Sequence, residues 1–373
     1  MKRMTLITLV LLAMAFFALP IRAQRANNFH IKRGTNLSHW LSQSTQRGVA
    51  RRLHIQEDDF ARLESLGFDF VRLPIDEEQF WDEQGNKLPE AWQLLVNSLN
   101  LASKHHLRVI VDLHSIRSHY FNAVNEGRAD ANVLFTSEKA QQDLIDMWYQ
   151  LSDVLKGYSN DSVAYEFMNE PVAEEHEQWN KLIAKVHKAL RKREPQRTLV
   201  IGSNRWQATW TFKYLRIPEG DKNIILSFHY YEPQALTHYG AWWTPIGKYK
   251  GKLNYPGILV SKEDYLASPE NMRPELDKFV CQWDKDRICQ DFRDAVSVAN
   301  KYGVQLFCGE WGVYEPVDRE LAYRWTEDML SVFDEFNIAW ATWCYDADFG
   351  FWDQQRHTYK DRPLIELLMS HGK

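Results

Sequence analysis

The sequence is poor in cysteine and in long apolar runs, and both shortages exclude something. Four cysteines occur in 373 residues, and none precedes Cys281. Lipid attachment close to the N-terminus therefore has no thiol to use. Cys308 and Cys344 lie in apolar runs and read as small core residues. Cys281 and Cys289, in an irregular stretch, are compatible with a disulfide or with two free thiols. No cysteine or histidine spacing fits a zinc site, and His114, His119 and His229 lack the close grouping of metal ligands. No metal is expected. The apolar run from Leu6 to Leu19 falls short of the roughly 20 residues that span a bilayer. With Lys2 and Arg3 before it and Ile21-Arg22-Ala23 after it, it reads as a cleavable export leader, residues 1–23, cut after Ala23. The expected product is exported, periplasmic or extracellular, without a membrane anchor. Low-complexity linkers, internal repeats and blocks of one charge are also lacking. The formal net charge is −5, so nucleic acid and anionic membrane are not expected partners.

Aromatic residues are abundant, with 15 Trp and 16 Tyr. A surplus of rings in loops suits sugars, whose apolar faces stack on aromatics while their hydroxyls hydrogen-bond at the edge. Eight β-rich runs punctuate the chain: Ile31–Leu37, Asp69–Pro74, Leu107–His114, Val163–Met168, Thr198–Ser203, Ile224–His229, Val304–Gly309 and Ile338–Trp343. Most are continuously apolar, as strands buried on both faces should be. Amphipathic stretches such as Glu138–Lys156, Glu174–Glu194 and Asp286–Tyr302 alternate with them. This is the pattern of an α/β protein whose parallel strands close into a (β/α)8 TIM barrel. An open doubly wound sheet would carry a glycine-rich turn after its first strand, and Leu37-Ser38-His39-Trp40 offers none. Residues 24–373 are expected to form one catalytic domain. The stretch from Glu232 to Asp284 exceeds a loop plus a helix and is expected to be an insert between strands six and seven, over the mouth of the barrel.

Reactive groups in such barrels stand at the C-terminal ends of the strands. Those ends carry Arg72, His114, Asn169-Glu170-Pro171, His229 with Tyr231, Glu310-Trp311, and Trp343. Glu170 and Glu310 end strands four and seven, which face each other across a barrel. Two carboxyl groups on opposite sides of one pocket are what glycoside cleavage needs, one as proton donor and one as nucleophile or base. Arg72 would hold Glu310 and lower its pKa, Tyr231 would donate to the same carboxylate, and Asn169 would bond a sugar hydroxyl. His114 and His229 would bind hydroxyls or orient the carboxylates, and Trp343 would be a platform for the ring being cleaved. Asp112 and Glu166 share the inward parity and require a partner such as Arg72.

Phe70-Val71-Arg72-Leu73-Pro74, Val111-Asp112-Leu113-His114, Phe167 to Pro171, Phe228-His229-Tyr230-Tyr231 and Phe307 to Gly312 together resemble the motifs of glycoside hydrolase family 5. Arg33 to Leu37 and Trp343 fit the same resemblance, which runs from about residue 30 to 370. The passages Asn36 to Gln43 and Thr237 to Trp243 are similar to compact endoglucanases of that family. The resemblance implies a retaining enzyme without cofactor, acting on β-1,4-glucan or mixed-linkage β-glucan as polysaccharide or oligosaccharide. It implies Glu170 as acid/base and Glu310 as nucleophile. Arg72, His114, Asn169, His229, Tyr231 and Trp343 surround them, and Trp40, Trp242 and Trp243 are added as sugar contacts. The family also includes mannanases, xyloglucanases and exo-1,3-glucanases, and these motifs do not separate them. Ser38-His39 departs from the paired glycines frequent in those endoglucanases and is expected to crowd a subsite. A non-catalytic sugar-binding barrel would be expected to lack one of the two glutamates, and both are present.

Overall fold

The computed structural model describes residues 27–123 and 126–371, so the leader expected at residues 1–23 lies outside the described residues. Eight parallel strands close into a barrel in sequential order: β1 Arg33–Asn36, β2 Phe70–Asp76, β3 Arg108–Ser115, β4 Val163–Glu166, β5 Thr198–Gly202, β6 Ile224–His229, β7 Gln305–Trp311 and β8 Ala339–Thr342. Each coincides with one of the apolar runs read from the sequence. Long helices cover the outside: α1 Glu57–Leu66, α2 Pro89–Lys104, α3 Glu138–Leu155, α4 His176–Arg193, α5 Lys285–Tyr302, α6 Arg319–Phe336 and α7 Arg362–Ser370. In α3, Ser137 caps the first turn by accepting from the Ala140 amide, and Leu144, Trp148, Leu151 and Leu155 form the buried stripe. Between β5 and β6 a short turn, Asn204–Gln207, and a 3-10 segment, Thr209–Tyr214, replace a full helix.

Strand alternation divides the core in two. Phe70, Ile110, Ala164, Val200, Ile225 and Phe307 point inward and fill the lower barrel, which is a packed core and not a pore. The alternate residues, such as Val71, Val111, Leu199 and Cys308, meet the helices. Counting from inward Phe307, the two-residue period would turn Glu310 outward. A register shift opposite Phe228 and His229 intervenes and pairs His229 with Glu310. The extra residue in β7 brings Glu310 back to the interior. Gly309 makes this possible, since a Cβ there would come within 2.9 Å of Ser227 Oγ and 3.1 Å of His229 Nε2.

The segment expected as an insert divides in two. Residues 231–243 border the barrel mouth, where the Tyr314 amide donates to the Thr237 carbonyl at 2.8 Å. The remainder packs largely on itself and on the helices. Tyr249, Tyr255, Phe279 and Trp283 are buried, and Gly257–Ile258 pairs antiparallel with Gln282–Trp283. Tyr255 donates to Asp328 of α6 at 2.8 Å, so this part is fastened to the outer helices. Its large rings find their partners there, which is why they did not need the cleft. Cys281 and Cys289 are separate thiols. Among the described residues no helix is long and apolar enough to cross a membrane.

Candidate active site

At the C-terminal end of the barrel a single buried guanidinium organises five carboxyl or amide partners. Arg72 lies wholly inside the protein and contacts Glu166 Oε2 at 2.7 Å, Glu310 Oε1 at 2.8 Å and Asp112 Oδ2 at 3.0 Å. It also donates to Asn36 Oδ1 at 2.9 Å and to Asn169 Oδ1 at 2.8 Å. Inward parity turns Arg72 and Asp112 into the barrel, each two residues beyond an inward core residue, Phe70 and Ile110. Burial of several carboxyls beside one cation raises the protonation of the carboxyls: Asp112 and Glu166 are both pushed up to about 7 by desolvation, against the pull of Arg72.

Glu310 accepts from Arg72 on one oxygen and from the Tyr231 hydroxyl on the other, at 3.1 Å. Glu170, after β4, approaches from the opposite side. His229 Nδ1 stands 2.9 Å from Glu170 Oε1 and 3.6 Å from Glu310 Oε2. One side-chain atom each from Glu170, His229 and Glu310 lie within 4.8 Å of one another. Such a set could hold a divalent ion, but Glu310 already receives the Arg72 cation and a phenol on its two oxygens. Desolvation raises both carboxyls above the ordinary range. The expectation that Arg72 would set Glu310 low is corrected: its pull is present, but burial outweighs it. Glu170 is raised further, because burial is joined by the charge of Glu310 and, among the described residues, no cation touches it. The pair thus separates into a Glu310 that ionises first and a Glu170 that holds its proton longer.

The other polar groups converge on the same space. His114 is pushed down to about 3 by burial and so is neutral. Its Nδ1 meets Asp112 Oδ2 at 2.8 Å, which fixes the tautomer and leaves Nε2 without a partner among the described residues. Asn169, with its oxygen engaged by Arg72, likewise keeps Nδ2 unpartnered. The Trp343 ring lies parallel to His114 at 5.6 Å between centroids. His119 is elsewhere: the Val172 amide donates to its Nε2. Trp243 packs edge-on to Tyr314 at 4.9 Å, and His238 links it to Tyr231. Trp242 is 79% exposed beside it.

Trp40 does not join the site, contrary to expectation. Its indole N–H donates to the Arg51 carbonyl at 2.6 Å and its ring is 2% exposed. The preceding residue, His39, has φ +56°, and this left-handed step turns Trp40 into the outer core. The imidazole of His39 borders the Trp343 ring instead, 5.8 Å away. Sequence reasoning also missed Gln207, which is fully buried and accepts from the Glu170 amide at 2.9 Å. It follows β5 in a polar stretch without a motif, and only its nearness to a strand end could have marked it.

The profile of cellulases (glycosyl hydrolase family 5) matches residues 27–349. The chain is 28% identical over 347 residues to Endoglucanase C of Acetivibrio thermocellus, covering 90% of this chain and 97% of that one. It is 28% identical over 310 residues to Cellodextrinase A of Ruminococcus flavefaciens, covering 83% and 84%. A solved endoglucanase superposes with a TM-score of 0.72 at 25% identity, covering 91% of this chain and 97% of that one. Barrel, strand-end carboxyls and sequence agree, and the chain belongs to the cellulase family of glycoside hydrolases, glycosyl hydrolase family 5.

Proposed function

We propose that this glycoside hydrolase cleaves β-1,4-linked or mixed-linkage β-glucan by double displacement, with Glu310 as nucleophile and Glu170 as acid/base. The observation that carries the reading is the approach of Glu170 and Glu310 across His229, with side-chain atoms within 4.8 Å. Retaining enzymes hold their carboxyl groups about 5–5.5 Å apart, whereas inverting ones leave roughly 6.5–9.5 Å for a water. In the first step Glu170 gives its proton to the glycosidic oxygen as the C1–O bond breaks, and a Glu310 oxygen bonds to C1. In the second step Glu170, now ionised, takes a proton from water, whose oxygen displaces Glu310 from C1. Arg72 and Tyr231 hold the attacking carboxylate in place. Asn169 Nδ2 donates to the sugar 2-hydroxyl as positive charge develops at C1. Trp343 supports the ring being cleaved.

The choice of glucan is supported by relatives named endoglucanase and cellodextrinase. Residues 24–373 are read as one catalytic unit with an insert at 232–284, exported after removal of residues 1–23. N-terminal sequencing of protein recovered outside the cytoplasm tests that boundary. Reducing-sugar release from lichenan, carboxymethylcellulose, glucomannan, xyloglucan and laminarin tests the substrate. Proton NMR of the first product anomer tests the stereochemistry: α-product would sink double displacement. The roles separate with Glu170→Ala, which should spare substrates with good leaving groups and yield a β-glycosyl azide when azide is added. A β-azide from Glu310→Ala instead would reverse the assignment.

A further inference from the structure

Two short left-handed stretches meet beside the acid/base. Glu170 has φ +45° although it is not glycine, and it precedes a proline. Arg205, Trp206 and Gln207 have φ of +55°, +59° and +54°, three consecutive non-glycine residues in a conformation that L side chains rarely adopt. The turn after β5 and the segment after β4 are stitched together along their length. The Trp206 amide donates to the Pro171 carbonyl at 3.2 Å. Asn204 Oδ1 accepts from the Ala173 amide at 2.9 Å, and its Nδ2 donates to the Ala173 carbonyl at 3.0 Å.

At the end of the turn the Gln207 side chain enters the barrel. Its Oε1 accepts from the Glu170 amide at 2.9 Å. Its Nε2 donates to Ser227 Oγ at 2.9 Å and to Glu166 Oε1 at 3.3 Å. The orientation of the amide is dictated, because a peptide N–H needs an acceptor and the Glu166 carboxylate needs a donor. Gly202 keeps the space, since a Cβ there would lie 2.3 Å from Gln207 Cγ. One side chain therefore ties the acid/base backbone to β6 and to the carboxylate under Arg72.

We infer that Gln207 is a positioning residue for the acid/base: by holding the left-handed Glu170 backbone it aims the Glu170 carboxyl at His229 and the glycosidic oxygen. The inference rests on the acid/base role proposed for Glu170. Sequence neighbours strained in this way persist only where surrounding contacts over-determine them, and such positions gather at functional sites.

Gln207→Met keeps the volume of the side chain and removes all three of its hydrogen bonds. It should slow hydrolysis of a natural glucan oligosaccharide by about thirtyfold or more while changing a dinitrophenyl glycoside by less than about threefold, because only the first needs a proton donor. Gln207→Glu offers an oxygen to the Glu170 amide and, while protonated, a donor to Ser227. It should approach wild type at acidic pH and, as ionisation removes the donor to Ser227 and sets a second negative charge beside Glu166, acquire a leaving-group bias greater than that of wild type at the same pH. Thermal melts accompany both. Equal losses on the two substrates, or no loss on either, would overturn the inference. Should Gln207→Met fail to fold, a Gln207→Glu enzyme whose leaving-group bias matches wild type at every pH overturns it. Glu170→Ala is the control: if that variant shows no leaving-group bias, the acid/base assignment itself has failed and not the role of Gln207.

Discussion

Arg72 Nη1 donates to Glu310 Oε1 at 2.8 Å, and the guanidinium has no solvent-exposed surface at all. The cation is shared with Asp112 and Glu166 below it, so its removal would leave three carboxyls facing one another in a desolvated space. Arg72→Met is expected to destabilise the fold by about 3–5 kcal/mol, the range for breaking a buried charge pair. Arg72→Lys restores a charge but not the planar fork that reaches five acceptors. It should fold and lose on the order of a hundredfold in kcat. Chemical denaturation beside initial rates separates the two effects; an active Arg72→Lys enzyme would show that charge alone suffices.

The separation of the two carboxyls predicts a bell-shaped pH profile displaced upward. Activity needs Glu310 ionised and Glu170 protonated. It therefore falls as pH drops through the raised Glu310 value and falls again as pH climbs through the still higher Glu170 value. Tyr231→Phe removes the hydroxyl that donates to ionised Glu310. A hydrogen bond worth about 1 kcal/mol corresponds to somewhat under one pH unit. The acid limb of kcat/KM should move up by about that much, and the alkaline limb should stay. Movement of the alkaline limb alone would exchange the roles of the two glutamates.

Much of this site was legible before any coordinates, and the failures have physical causes. The strands were visible because burial on both faces leaves continuous apolar runs, and the reactive residues were visible because polar groups follow those runs. That Glu310 sits at a strand end could be read; that it faces inward could not. Simple alternation from Phe307 turns it outward, and the register shift at Gly309 reverses this. Trp40 was misplaced because a left-handed histidine carries no signal comparable to glycine. Gln207 was invisible for the same reason, at the end of three left-handed residues of which none is glycine or asparagine. The packing of the far part of the 232–284 segment was not legible, because Tyr255 finds Asp328 of α6 and Phe279 finds Trp283, partners that no spacing announces.

Trp242 and Trp243 are proposed as sugar contacts: they follow β6, and Trp243 connects through His238 to Tyr231. Trp242 is 79% exposed, so its ring contributes little to folding. Trp242→Ala should leave the melting temperature unchanged and lower kcat/KM on a long glucan by about fivefold, corresponding to roughly 1 kcal/mol of stacking. A short aryl glycoside, which does not reach that surface, should be unaffected. Trp243 is half-buried against Tyr314, and its replacement should add a small loss of stability. Equal losses on long and short substrates would remove the binding role.

His39 offers the sharpest test of specificity, because its backbone would prefer a glycine and its side chain borders the platform. It follows β1, which lies across the barrel from β5, on the side away from Glu170. If Glu170 protonates the departing chain as proposed, His39 would face the retained sugars. Its imidazole lies 5.8 Å from the Trp343 ring, and Ser38 Oγ meets its Nδ1 at 2.9 Å. Burial lowers its pKa, so at neutral pH it is an uncharged, oriented obstacle. His39→Gly removes the ring and relieves a left-handed conformation costing about 1 kcal/mol for a residue with a Cβ. The variant should melt no lower than wild type. It should gain activity on branched xyloglucan relative to unbranched lichenan by several-fold, on the order of 1 kcal/mol. The ratio of kcat/KM on the two polymers, measured for both proteins, decides the matter. A ratio that stays constant, or a shift toward lichenan, would mean that His39 does not set the width of this side of the cleft.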